Sequence, residues 1–302
     1  GFSPGHRDLH RIFANPTESQ LAEITQFFLR QPLKRWRQES RGRWIIYIPK
    51  NRIRIDDYPA IRDWLLPFKD RLERRATKQE WFALQQAQEA YAPFFQKTKI
   101  TYRDIAAESP FHLDDSGSYL ETTAFAIPSD DFALAAILNS KVLWFIFKTL
   151  TPLASGGYFR MKAQYVGQLP VPECTPSARL TLADFARDAQ QKAQTRLKLQ
   201  TGFTRRIPDL CPPGRTPTLS NKLTEWWTLE DFAMFRSEVK KAFKSDIPLA
   251  DRSDWEDWFK RDKEKIGRLT ADIAAQERNI DAIIYSLFKL TSEEIHLLET
   301  VT

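Results

Sequence analysis

Cysteine is almost absent. The two present, Cys174 and Cys211, lie in proline-rich surroundings, which argues against a disulfide framework or a cysteine-held zinc site and suits a reducing cytoplasm. Histidine is scarce too: of His6, His10, His112 and His296 only the first two share a helical spacing, and no third ligand accompanies them. No Gly-x-Gly occurs, so the glycine-rich loop that a nucleotide or S-adenosylmethionine fold presents to its ligand is missing. No apolar run reaches the roughly 18 uncharged residues of a membrane span, because Lys141 and Lys148 interrupt the most apolar one. No signal-peptide pattern opens the chain. It starts at Gly1 and has only Met161 and Met234, so it reads as a piece cut from a longer protein.

What is present suffices for a core: 42% of residues are hydrophobic and 13% aromatic over a length of 302, enough for two domains. The net charge of +6 becomes informative once located. Residues 173–302 are balanced, so all the excess positive charge falls in residues 1–172. Between residues 30 and 54 stand Arg30, Lys34, Arg35, Arg37, Arg41, Arg43, Lys50, Arg52 and Arg54 against the single acid Glu39. A solvated surface strand explains such a run about as well as nucleic acid does, but interleaving with Trp36, Trp44 and Tyr47 tips the reading toward nucleic acid.

Taken in order, Arg43 to Pro49 predicts a buried strand and Pro59 a helix start. Ile61, Trp64, Leu65, Phe68 and Leu72 give that helix one apolar face with a bend at Pro67. Lys97 to Tyr102 predicts a strand with alternating cations, and Phe111 to Leu113 with Tyr119 to Ile127 a hairpin joined through Asp114-Asp115-Ser116-Gly117. Phe132 to Phe147 is apolar nearly all round and must be buried. A glycine-hinged cationic loop follows, Ser155 to Lys162, with Tyr158 and Phe159 in it. The stretch from Leu138 to Pro172 thus joins a hydrophobic anchor to a flexible basic loop, a suitable way to present side chains to nucleic acid. Beyond Pro172 to Pro176 the pattern is helical. Capping pairs are expected at Thr181 with Asp184, Thr228 with Asp231, Ser253 with Glu256 and Thr291 with Glu294. Ile266, Leu269, Ile273, Ile280, Ile283 and Leu287 form a stripe for packing on another helix. The fold class expected is α+β, a mixed sheet with packed helices over residues 1–172, followed by a mainly α-helical region over 173–302.

One nuclease-like pattern occurs, Pro208-Asp209 with Glu238-Val239-Lys240. Such carboxylates hold a divalent ion on adjacent strands, whereas here one lies in a proline loop and the other in a helical period.

The order of motifs resembles the C-terminal target-recognition region of TaqI-like and Eco57I-like adenine-specific DNA methyltransferases, including the fused type IIG restriction-modification enzymes. Leu29 to Trp36 resembles the family's opening segment, with its Gly and Asp replaced. Tyr58 to Leu72 is similar to its Pro-initiated helix and Lys99 to Ile105 to its Lys-Ile-x-Tyr strand. Ile127-Pro128, Leu138 to Lys141, Gly156 to Arg160 and Gln168 to Pro172 continue the series. The helical part resembles the tail of type IIG enzymes at Lys222-Leu223 with Trp226, Asp231 to Lys241, Trp255 to Phe259 and Ile280 to Ile295.

The resemblance implies sequence-specific recognition of double-stranded DNA by a bacterial or archaeal, cytoplasmic protein with no membrane partner. The parent would be an adenine-N6 methyltransferase, possibly fused to an endonuclease. The family's Asn-Pro-Pro-Tyr motif is missing here, Asn15-Pro16-Thr17 being the nearest string. Catalysis, base flipping and S-adenosylmethionine are therefore expected in an N-terminal methyltransferase region in cis, with magnesium only if a nuclease is fused, and no cofactor, catalytic residue or metal in this chain. Arg30, Lys34, Arg35, Trp36, Arg37, Lys97, Lys99 and Arg103 are the expected DNA-binding residues of the first strands, the cations mainly on phosphates. Arg160 and Lys162 are expected to read guanine edges, with Tyr158 as a stacking or wedge residue. Two alternatives stay open. One is a specificity or scaffold subunit that joins separate modification subunits, although such subunits usually carry two recognition units. The other, a standalone metal-dependent nuclease, would cut plasmid in magnesium or manganese.

Overall fold

The computed structural model describes residues 25–29, 33–39, 44–120 and 123–301. The chain divides into two compact units, residues 1–131 with 146–169 and residues 132–145 with 170–302. The first is α+β and the second helical.

In the α+β unit, β1 (Thr25–Leu29) pairs antiparallel with β4 (Trp44–Ile46) and parallel with β8 (Tyr119–Leu120). β2 (Leu33–Lys34) and β3 (Arg37–Gln38) form a tight hairpin. β5 (Lys99–Arg103) is the centre of an antiparallel sheet, flanked by β7 (His112–Asp114) and β9 (Ala124–Ile127). β6 (Ile105–Ala106) pairs antiparallel with β10 (Phe159–Arg160). The strands thus form several small sheets. The expected hairpin of residues 111–127 does not form. Its two arms lie on opposite edges of β5, and Tyr119 turns to pair with β1. The reason is burial on both faces: Ile100 and Tyr102 on one side of β5 and Lys99 and Thr101 on the other are all almost wholly covered, so this strand takes the central position.

The strand expected at Arg43 to Pro49 is present as β4, and the Pro59 helix as α1 (Pro59–Leu65). A 3-10 turn at Leu66–Phe68 carries Pro67 and separates α1 from α2 (Lys69–Glu73), which is the expected bend. Ile61 and Leu65 pack with Ile46, Ile48, Ile55 and Ala83 in a small core, with Trp81 and Phe82 against it. Arg75, beyond α2, does not reach into solvent. Its guanidinium donates to the carbonyls of Leu72, Ala83 and Trp81 at 2.7–2.8 Å, which ties the loop after α2 to that helix end.

The apolar helix appears as two, α3 (Phe132–Asn139) and α4 (Lys141–Leu150), bent by 63° at Ser140. Residues 132–145 belong to the helical unit, where α3 packs on α5 (Pro176–Thr204) and the Arg187 guanidinium lies 4.9 Å from the centre of the Phe132 ring. Among the described residues no single helix is long and apolar enough to cross a membrane.

α5 starts earlier than the Thr181 pattern predicts: Thr175 caps it by accepting the Ala178 N–H at 3.2 Å, and Pro176 supplies the first helical φ. Thr181 then lies inside the helix and donates back to the Ser177 carbonyl. Asp231 rather than Thr228 caps α6 (Phe232–Phe243), and α7 (Arg252–Leu287) begins with no side-chain cap, although Ser253 with Glu256 predicts one. The expected stripe of α7 buries Ile266, Ile273 and Ile280 as the helix runs along α5. A second core gathers Phe203, Trp226, Phe232, Phe235 and Phe259 between α5, α6 and α7.

The last helix, α8 (Ser292–Val301), starts with the expected reciprocal box. Thr291 N–H donates to Glu294 Oε2 at 2.8 Å and Glu294 N–H to Thr291 Oγ1 at 3.3 Å. Further along it, Glu299 accepts from the Tyr285 hydroxyl at 2.5 Å and pairs with Lys141. The Thr291→Ala chain is expected to lose about 1 kcal/mol of helix stability, read as faster amide exchange over residues 292–296 with the rate at Ile266 unchanged. Exchange over residues 292–296 equal to that of the parent would remove the cap's role.

Candidate nucleic-acid interface

Ten residues from Leu153 to Lys162 carry the glycine loop back along the α+β unit. Gly156 and Gly157 sit at φ +75° and +78°, which side-chain-bearing residues rarely adopt, so the chain reverses there. The reversal is closed by the Ala154 N–H donating to the Tyr158 carbonyl at 2.6 Å and by a bridge between Leu153 and Phe159. β10 then pairs with β6, Phe159 opposite Ala106 and Arg160 opposite Ile105. Two more bonds fix its position: Met161 N–H donates to the Asp104 carbonyl at 2.7 Å, and Thr151 Oγ1 to the Arg160 carbonyl at 3.1 Å.

Strand alternation sorts the side chains. Met161 is fully buried, so Arg160 and Lys162 on either side of it point the other way; Arg160 is exposed and Lys162 half-buried. Tyr158, two residues before Arg160, is 41% exposed on the same face. Ile105 completes the face from the partner strand, and the Arg103 guanidinium comes beside it, donating to the Ile105 carbonyl. Asp104 lies between, its side chain mostly covered, with Oδ1 2.8 Å from Lys162 Nζ. That contact is an ion pair without hydrogen-bond alignment. Lys162 also stands 5.5 Å from the centre of the Phe125 ring. The result is a two-stranded ribbon with cations and apolar groups on one face.

Of the expected DNA-binding residues, this ribbon brings together Arg103, Tyr158, Arg160 and Lys162. Lys34 and Lys97 are exposed on other elements, and Arg30 lies outside the described residues. Four others are held within the fold. Trp36 is 2% exposed in the β2–β3 turn, where its N–H donates to the Phe111 carbonyl at 3.2 Å and its φ of 61° is held by the surrounding packing. Arg35 is half-buried and donates through Nε to the Ser109 carbonyl at 3.2 Å, fixing the same turn. Arg37 is buried and ion-paired with Glu39 at 3.2 Å. Lys99 is fully buried, 2.7 Å from Asp114 Oδ2 and 2.8 Å from the Phe95 carbonyl. A lysine so enclosed serves the fold and presents no charge to a phosphate in this conformation.

Ile105 belongs to the face, although nothing in its sequence context singles it out. The available signal is the short distance from Asp104, whose charge prevents β5 from running on as core.

The nuclease-like pair does not assemble into a metal site. Glu238 accepts from Lys241 at 2.9 Å and pairs with Lys222 at 3.5 Å. The Lys241 hydrogen bond outweighs the opposing effect of burial and holds its carboxyl below the ordinary range. Among the described residues no group of His, Cys, Asp and Glu could hold a metal ion.

Residues 33–171 match the model of the TaqI-like C-terminal specificity domain, and residues 175–284 match a domain of unknown function (DUF8810). No curated protein matches the chain.

Proposed function

We propose that this chain, whose residues 33–171 match the TaqI-like C-terminal specificity domain, is the DNA-specificity part of a restriction-modification type protein and selects the sequence at which adenine N6 of double-stranded DNA is methylated. The observation that carries the reading is the ribbon face with Arg160 on one strand, flanked by Tyr158 and Lys162, and Ile105 on the other. A two-stranded ribbon fits the major groove, where guanine offers the O6 and N7 acceptors that a guanidinium meets with two parallel bonds. Lys34, Lys97 and Arg103 would hold the phosphates on either side and set the register.

The catalytic step belongs to a methyltransferase region in cis, and S-adenosylmethionine is bound there. This chain offers no fit for that cofactor, having neither a Gly-x-Gly loop nor an Asn-Pro-Pro-Tyr motif. A nuclease fused to the same parent would bring its own magnesium site. The setting is the cytoplasm of a bacterium or archaeon.

Binding to a random-sequence duplex pool tests this. We expect enrichment of a defined sequence, and affinity for it that falls roughly tenfold or more between 50 and 200 mM salt. Arg160→Ala should relax preference at one base pair at a cost of about 1–3 kcal/mol, whereas Lys34→Ala should weaken all duplexes alike. Affinity unchanged by salt, or a pool with no enriched sequence, overturns the reading.

A further inference from the structure

Resting on the DNA-recognition reading above, we infer that Ile105 and Arg160 read neighbouring features of the target together, Arg160 a guanine edge and Ile105 the C5-methyl group of a thymine. Ile105 stays 37% exposed at the middle of the ribbon face, directly opposite Arg160 and beside the Arg103 guanidinium. Its side chain has no hydrogen-bonding atom, so on a strand face beside a base-reading guanidinium its contribution is to cover an apolar group at a base edge. Duplex DNA offers one such group at a base edge, the thymine methyl, and it lies in the major groove. The minor groove carries none, so a contact that depends on this methyl also assigns the groove.

Geometry limits where the two contacts fall. Directly opposed residues of antiparallel strands hold their Cβ atoms about 4.5–5.5 Å apart, and stacked bases rise about 3.4 Å. The guanine and the thymine are accordingly expected on neighbouring base pairs. Lys162 lies two residues from Arg160 and is held by Asp104, which fixes the ribbon's lateral position without placing a free carboxylate on the face.

The test is single-atom surgery on the selected duplex. Each thymine of the enriched sequence is replaced in turn by uracil, which removes only the methyl. With the 302-residue chain, one replacement next to an essential guanine should weaken binding roughly three- to fivefold, the worth of one buried methyl. Ile105→Ala should bind the thymine and uracil duplexes equally, and Ile105→Val should keep the difference. Near-equal circular dichroism of the variants shows that the ribbon's outward face has been changed and the fold has not. If no thymine is sensitive, or the sensitivity persists in Ile105→Ala, the assignment of Ile105 is overturned while sequence-specific binding stands. A pool with no enriched sequence overturns both.

Discussion

Replacing Asp114 by alanine should cost about 3–5 kcal/mol, the usual loss when one partner of a buried ion pair is removed. The Lys99 ammonium, with no exposed surface, keeps the Phe95 carbonyl but loses its counter-ion. Asp114 also accepts from the Ser116 N–H at 2.9 Å, the Ser116 hydroxyl at 2.6 Å and Gln38 Nε2 at 3.2 Å, and from the Ser118 hydroxyl. Its loss therefore frees several donors at once. Urea unfolding followed by amide exchange in residues 99–103 measures this directly. A midpoint equal to that of the unaltered chain would falsify the claim that the pair holds β5 to β7. The double change Lys99→Met with Asp114→Leu should recover much of the loss, since well-packed apolar groups of similar size often replace such a pair without penalty. The same site sets an acid limit. Burial pushes the Asp114 carboxyl up, but the Lys99 ammonium and the serine hydroxyls outweigh it and hold the group below its ordinary value. A carboxylate depressed in the folded state contributes stability that is complete above its unfolded pKa, about 4. That contribution is lost as pH falls below this value through the folded one. The urea midpoint of Asp114→Asn should consequently change less with pH between 4 and 2 than that of the parent.

In the helical unit, Trp226→Ala should be the most damaging single truncation, at about 3–5 kcal/mol. The indole is fully buried, stacks on Phe203 at 4.0 Å between ring centres, meets Phe259 at 5.5 Å and donates through Nε1 to the Gln200 carbonyl at 3.2 Å. Around it α5, α6 and α7 converge, so the cavity cannot close without moving three helices. Trp226→Phe keeps an aromatic ring and should lose roughly half as much, most of it the indole's extra volume and its hydrogen bond. Guanidinium unfolding of the two variants decides the matter. Equal midpoints for Trp226→Ala and the parent would show that the core relaxes around the gap.

The helical half was the more legible from sequence. Period, proline and capping pairs are local, and the box of Thr291 with Glu294 and the stripe of Ile266, Ile273 and Ile280 lie where the pattern puts them. Helix starts were less so, because Thr175 and Thr181 offer the same chemistry and only Pro176 favours the earlier one. In the α+β half, the strands could be located but their partners could not. Pairing is non-local, and Asp114 to Gly117 reads as a hairpin turn until Lys99 is known to need the Asp114 carboxylate. The cations were the hardest to sort. Trp36, Arg37 and Lys99 look like an aromatic-basic surface in one dimension, but the packing encloses each of them. The loop that carries Arg160 and Lys162 was legible because the glycines at 156 and 157 mark a reversal that leads into a short strand. Ile105 was not, since an isolated isoleucine in a strand reads as core.

The segment from Lys99 to Ala106 changes duty at Asp104. Before it, Ile100 and Tyr102 belong to the interior; after it, Ile105 faces outward opposite Arg160. The residues that secure the ribbon (Asp104, Met161 and Thr151) use backbone bonds and inward side chains. The outward positions 105, 158 and 160 can consequently be exchanged while the inward ones are kept. A randomised library at those three sites should therefore return many folded members, because no bond that closes the ribbon comes from a side chain on its outward face.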